Sequence, residues 1–382
     1  MVIIEGRVPI YVYAENPESD VIDQVERIKN LPFFRKQIVI MPDCHVGKGC
    51  VIGFTGYFDD VVVPNIVGVD IGCGVYTYFL GRIKKINLSK LDAFIKGKIP
   101  LGLTSRTKKD AKTLPLLRDE ILFLKELERI LIKKFGVNIN DPVLQIGTLG
   151  SGNHFIEIGI DEDGNYYLTV HTGSRNLGLK VCNHFYRKAV DYSQKVMPQL
   201  PKDLSFLPME KGGKDYIEGM KLAQKYADIN RKVILRIIVE QFFRQEFSEE
   251  KIIKSVHNYI DVDRDFCVRK GAISAHKDEM VVIPFNLVDG LIIGRGKGVE
   301  KLNFSAPHGA GRKLSRKKAK ETISVKEFSK VVKSAGVFSS TISSRTVDEA
   351  PMAYKNKDEI LKFLPETVEI ERFVKPIYNI KG

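Results

Sequence analysis

Apolar positions recur along this chain in two rhythms. In the first 80 residues, short runs such as IVIMP, VIGFTGYF, VVVPNIVGV and GVYTYFL are punctuated by Gly and Pro, the pattern of β-strands separated by turns. Segment 114–135 instead places apolar residues at 117, 121, 124, 127 and 131 and stops at Gly136, which predicts an amphipathic helix. A second strand-rich stretch runs from about Val143 to Val170, with DEDGN as its hairpin turn. Between Asp215 and Phe247 there is no Pro and one Gly, and Tyr216, Met220, Ala223, Ala227, Ile234 and Ile237 form a stripe at helical spacing. This predicts a long helix with one buried face. Around 281–308 the runs MVVIPF and LIIGRG read as strands, and KDEILKF at 357–363 as a short helix. The alternation is irregular, so a mixed α+β class is expected rather than repeated βαβ units.

Composition narrows the class without fixing it. A chain of 382 residues, 43% apolar and 28% charged, is neither disordered nor a disulfide scaffold. Its most apolar stretch, Val233 to Phe243, is broken by Arg236 and Glu240 and falls short of the ~20 residues that span a bilayer. The N-terminal sequence lacks the order of a signal peptide. A cytoplasmic protein without a membrane partner is therefore expected. The five cysteines, at 44, 50, 73, 182 and 267, are an odd number thinly spread, which suits free thiols or metal ligands. A net charge of +13 and a pI near 9.3 favour a polyanionic partner.

The chemistry concentrates in Gly-rich strand ends. His154 (GTLGSGNHFIEI), His171 (LTVHTGSRNLG), His257 (SVHNYID) and His308 (APHGAGRKLSR) all sit where backbone can approach a ligand closely. In GVDIGCG, Asp70 and Cys73 can converge while Gly68, Gly72 and Gly74 relax the backbone. Together these residues offer the S, N and O donors of a divalent metal site. Asp43, Cys44, His45 and Cys50 form a second set by composition, but their spacing matches no zinc motif. Gly147, Gly150 and Gly152, and likewise Gly309 and Gly311, could form anion-binding turns. The second pair opens onto RKLSRKKAK, with six Lys and Arg between Arg312 and Lys320.

The segments MPDCHVGKG, VGVDIGCGV, GTLGSGNHFIEI, HTGSRNLG, VRKGA, PHGAGRKLSR, EAPMAYKN and the terminal KG, in this order, resemble the RtcB family of tRNA-splicing and RNA-repair ligases, from about residue 41 to 382. The resemblance implies an α+β fold and a GTP- and Mn2+-dependent enzyme. Such an enzyme joins RNA 2′,3′-cyclic phosphate or 3′-phosphate ends to 5′-hydroxyl ends. It implies two Mn2+ ions, one on Cys73, His154 and His171, the other on Asp70, Cys73 and His257. His308 matches the histidine that takes up GMP. Asn153, Glu157, Tyr354 and Lys381 match guanosine-nucleotide contacts, and Asn258, Pro284, Asn286, Gly309 and Gly311 complete that set. Arg175 and Arg312 become candidates for RNA phosphate. An activating protein partner is unspecified. The spread of these residues from Asp70 to Lys381 favours one domain over 1–382, although length alone suggests two or three.

Five points sit less easily with the family pattern. Period-2 alternation in NHFIEI sets Asn153 and Glu157 on one face and His154 on the other, so a metal on His154 requires a strand end or a twist. The donor set should hold Zn2+ more tightly than Mn2+, so use of Mn2+ must rest on activity and availability. Where the family reads IPGSMG, this chain has IPFNLVDGL at 283–291, with Phe285, Asn286, Leu287 and Leu291 replacing small or hydroxyl residues. Ser274 stands where the family has Arg. The chain also reads as short for the family, which suggests a compact branch serving repair. The competing readings are a metal-dependent RNA-end phosphatase or cyclic phosphodiesterase, and a non-catalytic RNA-binding protein.

Overall fold

Register decides this architecture. In the computed structural model, which describes residues 1–139 and 141–382, seven strands form an antiparallel sheet. Their order is Ile252–Val256, Gly74–Arg82, Asn165–Thr172, Phe155–Ile160, Val368–Lys381, Leu291–Gly296 and Met280–Pro284. Side by side across four of these strands lie Val75, His171, Phe155 and Lys381, and two positions on lie Thr77, Thr169, Glu157 and Asn379. Directly paired residues point to the same face. The intervening rows, Tyr76, Val170, Ile156, Ile380 and Tyr78, Leu168, Ile158, Tyr378, therefore point to the opposite face. There they form a core layer with Ile234, Leu235, Ile238 and Val239 from the long helix and the segment that continues it. One face is oil, and the other carries the polar rows.

A six-stranded sheet packs nearby, in the order Val2–Ile4, Ile10–Val12, Phe34–His45, Ile52–Phe58, Cys267–Lys270 and Asn258–Ile260. Its only parallel pairing joins Ile10–Val12 to Phe34–His45, and its other pairings are antiparallel. His257 lies between the last residue of a strand in the first sheet and the first residue of a strand in the second. The fold is α+β, as the pattern predicts, and among the described residues no helix is long and apolar enough to cross a membrane.

The predicted long helix runs Gly213–Arg236 and its stripe is buried at all six named positions, with the last, Ile237, in the wider helical turn Ile237–Phe242 that continues it. The 114–135 helix is shorter than its pattern, beginning at Arg118. Pro115 interrupts the first turn, and Glu120 accepts from the Leu117 amide (2.7 Å) to cap the new start. The strand expected from Val143 begins only at Phe155. Gly147, Gly150 and Gly152 have φ of +67°, +93° and +75°, so this stretch turns repeatedly and does not run extended. In VVVPNIVGV, Pro64 converts a predicted strand into two strand residues and the helical turn Pro64–Val67. The 22-residue helix Arg175–Val196 was not anticipated, because its first turn reads as part of a Gly-rich motif.

The long helix also clamps the loops that carry the sheet's polar end. Asn230, fully buried, accepts from Thr148 N (3.1 Å) and donates to Thr148 O (3.1 Å) and Gly173 O (3.3 Å). Truncation strands these backbone groups, each at a cost of about 1–3 kcal/mol. Asn230→Ala should therefore lower stability by about 3 kcal/mol, read as a reduced midpoint in thermal or urea unfolding.

Candidate active site

At the polar end of the seven-stranded sheet, five metal-ligating side chains converge. Cys73 precedes the strand Gly74–Arg82, His154 precedes Phe155–Ile160, His171 is next to last in Asn165–Thr172, and His257 follows Ile252–Val256. Cys73 Sγ lies 3.5 Å from His154 Nε2 and 3.3 Å from His171 Nε2. His154 Nε2 is 3.0 Å from Asp70 Oδ2, and His171 Nε2 is 3.4 Å from His257 Nε2. The strand-end position of His154 resolves the alternation problem, since the residue lies outside the pleat.

Two donor triads share the thiol: Asp70, Cys73 and His154 on one side, and Cys73, His171 and His257 on the other. This grouping differs from the one the resemblance implies, which exchanges His171 with Asp70 around Cys73. In this structure His171 approaches His257 while Asp70 reaches His154.

Backbone carbonyls set the tautomers. His154 Nδ1 donates to Leu149 O (3.0 Å) and His171 Nδ1 to Asn153 O (3.2 Å), so both Nε2 lone pairs face the thiol. His257 Nδ1 is buried without a partner. Burial pushes the Cys73 thiol well up, with the Asp70 charge adding to it. Burial and the neighbouring imidazoles push His171 and His257 well down. Burial would raise Asp70 as well, but the His154 hydrogen bond and charge outweigh it and hold the carboxyl at about 2. Neutral imidazoles packed around a thiol and a carboxylate suit a divalent cation, which supplies the charge that would free the thiolate.

Arg231 on the long helix braces this cluster. It is buried, donates to Gly72 O (2.7 Å) and Thr172 O (2.6 Å), and stacks over Tyr76 at 4.3 Å. Sequence reasoning missed it, since an Arg on a helical stripe reads as solvated. A Cβ at Gly173 would fall on the Asp70 carboxylate, which explains glycine in HTGS.

His308 follows the short strand Ser305–Pro307. Its Nδ1 lies 2.6 Å from Asp43 Oδ2, which also accepts from the backbone amides of His308 (3.0 Å) and Gly309 (3.1 Å). Its ring centroid is 4.9 Å from that of His257. Asp43, fully buried, is thus the orienting carboxylate of His308 and not a member of a cluster with Cys44, His45 and Cys50. Among the described residues no such cluster forms, and burial pushes the Cys44 and Cys50 thiols up to about 12 and about 11. The sequence signal was present in MPDCH, but nothing in the spacing tied Asp43 to a histidine 265 residues away.

These groups open into a cavity of about 560 Å³, within the range of about 300–1,000 Å³ of small-molecule sites. Asp70, Cys73, His171, His257 and His308 line it, as do Asn153, Glu157, Asn258, Pro284, Asn286, Gly309, Gly311, Arg312, Tyr354 and Lys381. His154 and Arg175 lie behind the wall. Arg175 has φ of +56° and donates to Gly102 O (3.2 Å) and Thr148 Oγ1 (3.3 Å), with Nη1 3.5 Å from His154 Nδ1. The structure thus turns Arg175 away from the cavity it was expected to serve. Arg312 is also engaged, pairing with Glu349 (3.1 Å) and stacking over Tyr354 at 5.3 Å.

Glu349, in the segment EAPMAYKN, organises this wall. It gathers Arg312, Arg316, the Tyr354 hydroxyl and Lys381 (3.4 Å). Burial works against its charge, but Lys381 and Arg316 hold it at about 2. Sequence analysis assigned it no role. In the departing loop, Phe285 and Leu287 are buried, and Leu291 pairs with Val374 inside the sheet, away from the cavity. The Asn286 side chain is consumed locally by Val288 N, Asp289 N (both 3.0 Å) and Asp289 Oδ2 (2.6 Å). Ser274 donates to Glu279 (2.6 Å) and accepts from Arg264 (3.0 Å), outside the cavity.

A buried Cys, His and Asp cluster opening beside a carboxylate-oriented histidine is the architecture of a metal-dependent enzyme. The sequence model of the family described as tRNA-splicing ligase RtcB matches residues 24–382, and the chain belongs to this family. It is 31% identical over 392 positions to the RNA-splicing ligase RtcB of Escherichia coli (strain K12), covering 96% of this chain and 95% of that one. It is 30% identical over 470 positions to the tRNA-splicing ligase RtcB of Methanococcus maripaludis, covering 98% and 95%. The chain is thus compact beside the archaeal relative but similar in length to the bacterial one.

Glu157 supplies a test of this wall. Buried beside the Asn379 amide (2.8 Å), it is pushed by desolvation to about 7, from an ordinary value of 4.5. Its folded value exceeds the unfolded one, so the unfolded state releases the proton first and stability falls as pH rises from about 4.5 to about 7. Relative to Glu157→Gln, the wild type should lose on the order of 3 kcal/mol across that window, read by urea unfolding at a series of pH values.

Proposed function

We propose that the protein is an RNA ligase that joins RNA 2′,3′-cyclic phosphate or 3′-phosphate ends to 5′-hydroxyl ends through a guanylylated His308, using GTP and two Mn2+ ions. The observation that carries this reading is the pairing of His308 with buried Asp43 at the edge of the thiol and imidazole cluster. With Nδ1 held by the carboxylate, Nε2 is the free nitrogen of a neutral imidazole and a competent nucleophile near pH 7.

Attack by His308 Nε2 on the α-phosphorus of GTP forms the N–P bond and expels pyrophosphate, while Asp43 offsets the positive charge left on the ring. A 3′-phosphate oxygen of the RNA then takes the guanylyl group, breaking the N–P bond and giving an RNA(3′)pp(5′)G end. The 5′-hydroxyl attacks the 3′-phosphorus, and GMP leaves. A cyclic phosphate end is first hydrolysed to the 3′-phosphate. Lys381, from the last strand, and the backbone amides of Ala310 and Gly311 are suited to anionic oxygens in the cavity. Glu157 and Asn153, on the same face, are suited to the donor edge of guanine.

The unpartnered His257 Nδ1 and the soft and hard donors around Cys73 fit metal ions. Asp70, Cys73 and His154 would hold one, and Cys73, His171 and His257 the other. Bound ions supply charge neutralisation at phosphate oxygens. Five free, buried cysteines support a reducing, cytoplasmic setting. A phosphatase or cyclic phosphodiesterase would leave the Asp43 and His308 pair without work.

Two measurements test the proposal. If Cys73 is shared, Cys73→Ser should lose both ions and His154→Ala about one, counted by plasma mass spectrometry after Mn2+ loading and desalting. With α-labelled GTP and Mn2+, the wild type should acquire acid-labile label that is absent in His308→Ala and slowed about 10–1,000-fold in Asp43→Asn. An unlabelled wild type would remove the ligase reading.

A further inference from the structure

The basic run has two halves that differ in how they are paired. Between residues 312 and 334 there are nine Lys and Arg against two Glu, an excess of seven out of the chain's thirteen. The half nearest the cavity is neutralised from below. Arg312 pairs with Glu349, Arg316 with Glu349 and Asp348 (2.8 Å), and Lys320 with Asp348 (3.6 Å). The other half is not. Helix Val325–Ser334 buries Phe328 and Val332, and at about 100° per residue Lys326, Lys330 and Lys333 fall together on the opposite side. All three are exposed and, among the described residues, none has a carboxylate at ion-pair distance. The same holds for Lys313, at the cavity wall, and Lys318, on helix Arg316–Thr322. Of the two Glu, Glu327 is committed to capping with Ser324, and Glu321 lies 3.9 Å from Lys317.

This helix is fastened to the cavity. Phe328 and Val332 pack on Leu287, in the loop whose residues line the cavity, and on Val347 and Ala350, next to the residues that hold Arg316. A one-sided lysine stripe with no acidic partners, fixed to the rim of a site for phosphate chemistry, has the character of a backbone-binding track. Several exposed helical lysines elsewhere are paired, as in Lys134 with Glu218, Lys214 with Glu210 and Lys221 with Asp263.

We infer that Lys326, Lys330 and Lys333, continuing from Lys313 and Lys318, bind the phosphodiester backbone of the RNA strand whose end enters the cavity. This inference rests on the ligase reading for the identity of the end. The track itself recognises phosphates without regard to sequence and extends the footprint beyond the end chemistry.

The test compares RNA oligonucleotides of about 20 and about four nucleotides, the short one able to occupy little beyond the cavity. Binding to the full chain is measured by fluorescence anisotropy over a salt series. At about 0.7 in log–log salt slope per contact on a single strand, the triple variant K326E/K330E/K333E should lower the slope for the long RNA by about 2 and weaken it about 100-fold at 0.1 M salt. Binding of the short RNA should stay within about twofold. K326Q/K330Q/K333Q, which removes charge without adding repulsion, should lower the slope similarly, and an unchanged unfolding midpoint shows that the helix is intact. Unchanged affinity and slope for the long RNA would overturn the inference. So would an equal loss for both lengths, or loss of binding to anionic phosphatidylserine vesicles with RNA binding intact. Histidine labelling by GTP is a separate readout: its absence in the wild type would sink the ligase reading and leave the track's RNA binding to stand or fall by anisotropy.

Discussion

The register of four neighbouring strands is the constraint on which the rest of this structure depends. With His171 opposite both Val75 and Phe155, and Phe155 opposite Lys381, the sheet's own cavity-facing residues are brought to one edge of one face. A slip of one position would turn Ile156 and Val170 toward the cavity and drive Glu157 into the apolar layer. That layer, built from Tyr76, Tyr78, Ile156, Ile158, Leu168, Val170, Tyr378 and Ile380, makes such a slip costly. The hydrophobic core thus fixes the chemistry at second hand. Cys73, His154 and His257 then need only lie next to strand ends.

Placing so many polar groups out of water requires compensation at each one. His171 and His257 answer burial by staying neutral, and His154 and His171 each have Nδ1 satisfied by a carbonyl. Asp43 Oδ2 accepts from two backbone amides and lies 2.6 Å from His308 Nδ1, and Glu349 is met by three cations and a phenol. Arg231 spends its charge on the carbonyls of Gly72 and Thr172, which flank the thiol and His171. The thiol is the exception, since burial and Asp70 both oppose its ionisation. Within this wall the unmet demand is for positive charge at Cys73, and that is where two donor triads meet.

What could be read from the sequence follows from how local each signal is. The long helix was legible because its stripe is continuous, and the α+β class because strands and helices alternate without a repeat. The ligand residues were legible because glycine-flanked histidines are rare at strand ends. The strand order was not, because pairing Phe155–Ile160 with the C-terminal strand joins residues more than two hundred positions apart. For the same reason Asp43, Glu349 and Arg231 were missed, each acting on a partner far along the chain. Arg175 is a different case. Its motif suggested a phosphate contact, whereas a left-handed backbone turns its guanidinium beneath His154.

The departing loop at 285–291 shows how this fold separates chemistry from specificity. Its larger residues do not crowd the metal cluster, because Phe285 joins the core under Tyr354 and Ala310, Leu287 turns into the small core of helix Val325–Ser334, and Leu291 is a sheet residue. Asn286 closes the turn on itself, leaving mainly its backbone side to the cavity. Leu287 alone among these larger residues anchors the lysine-bearing helix at the rim. The His308 and Asp43 pair stands on different strands and is untouched by that exchange. A change in the loop or helix at the rim therefore need not move His308 or the cluster beside it.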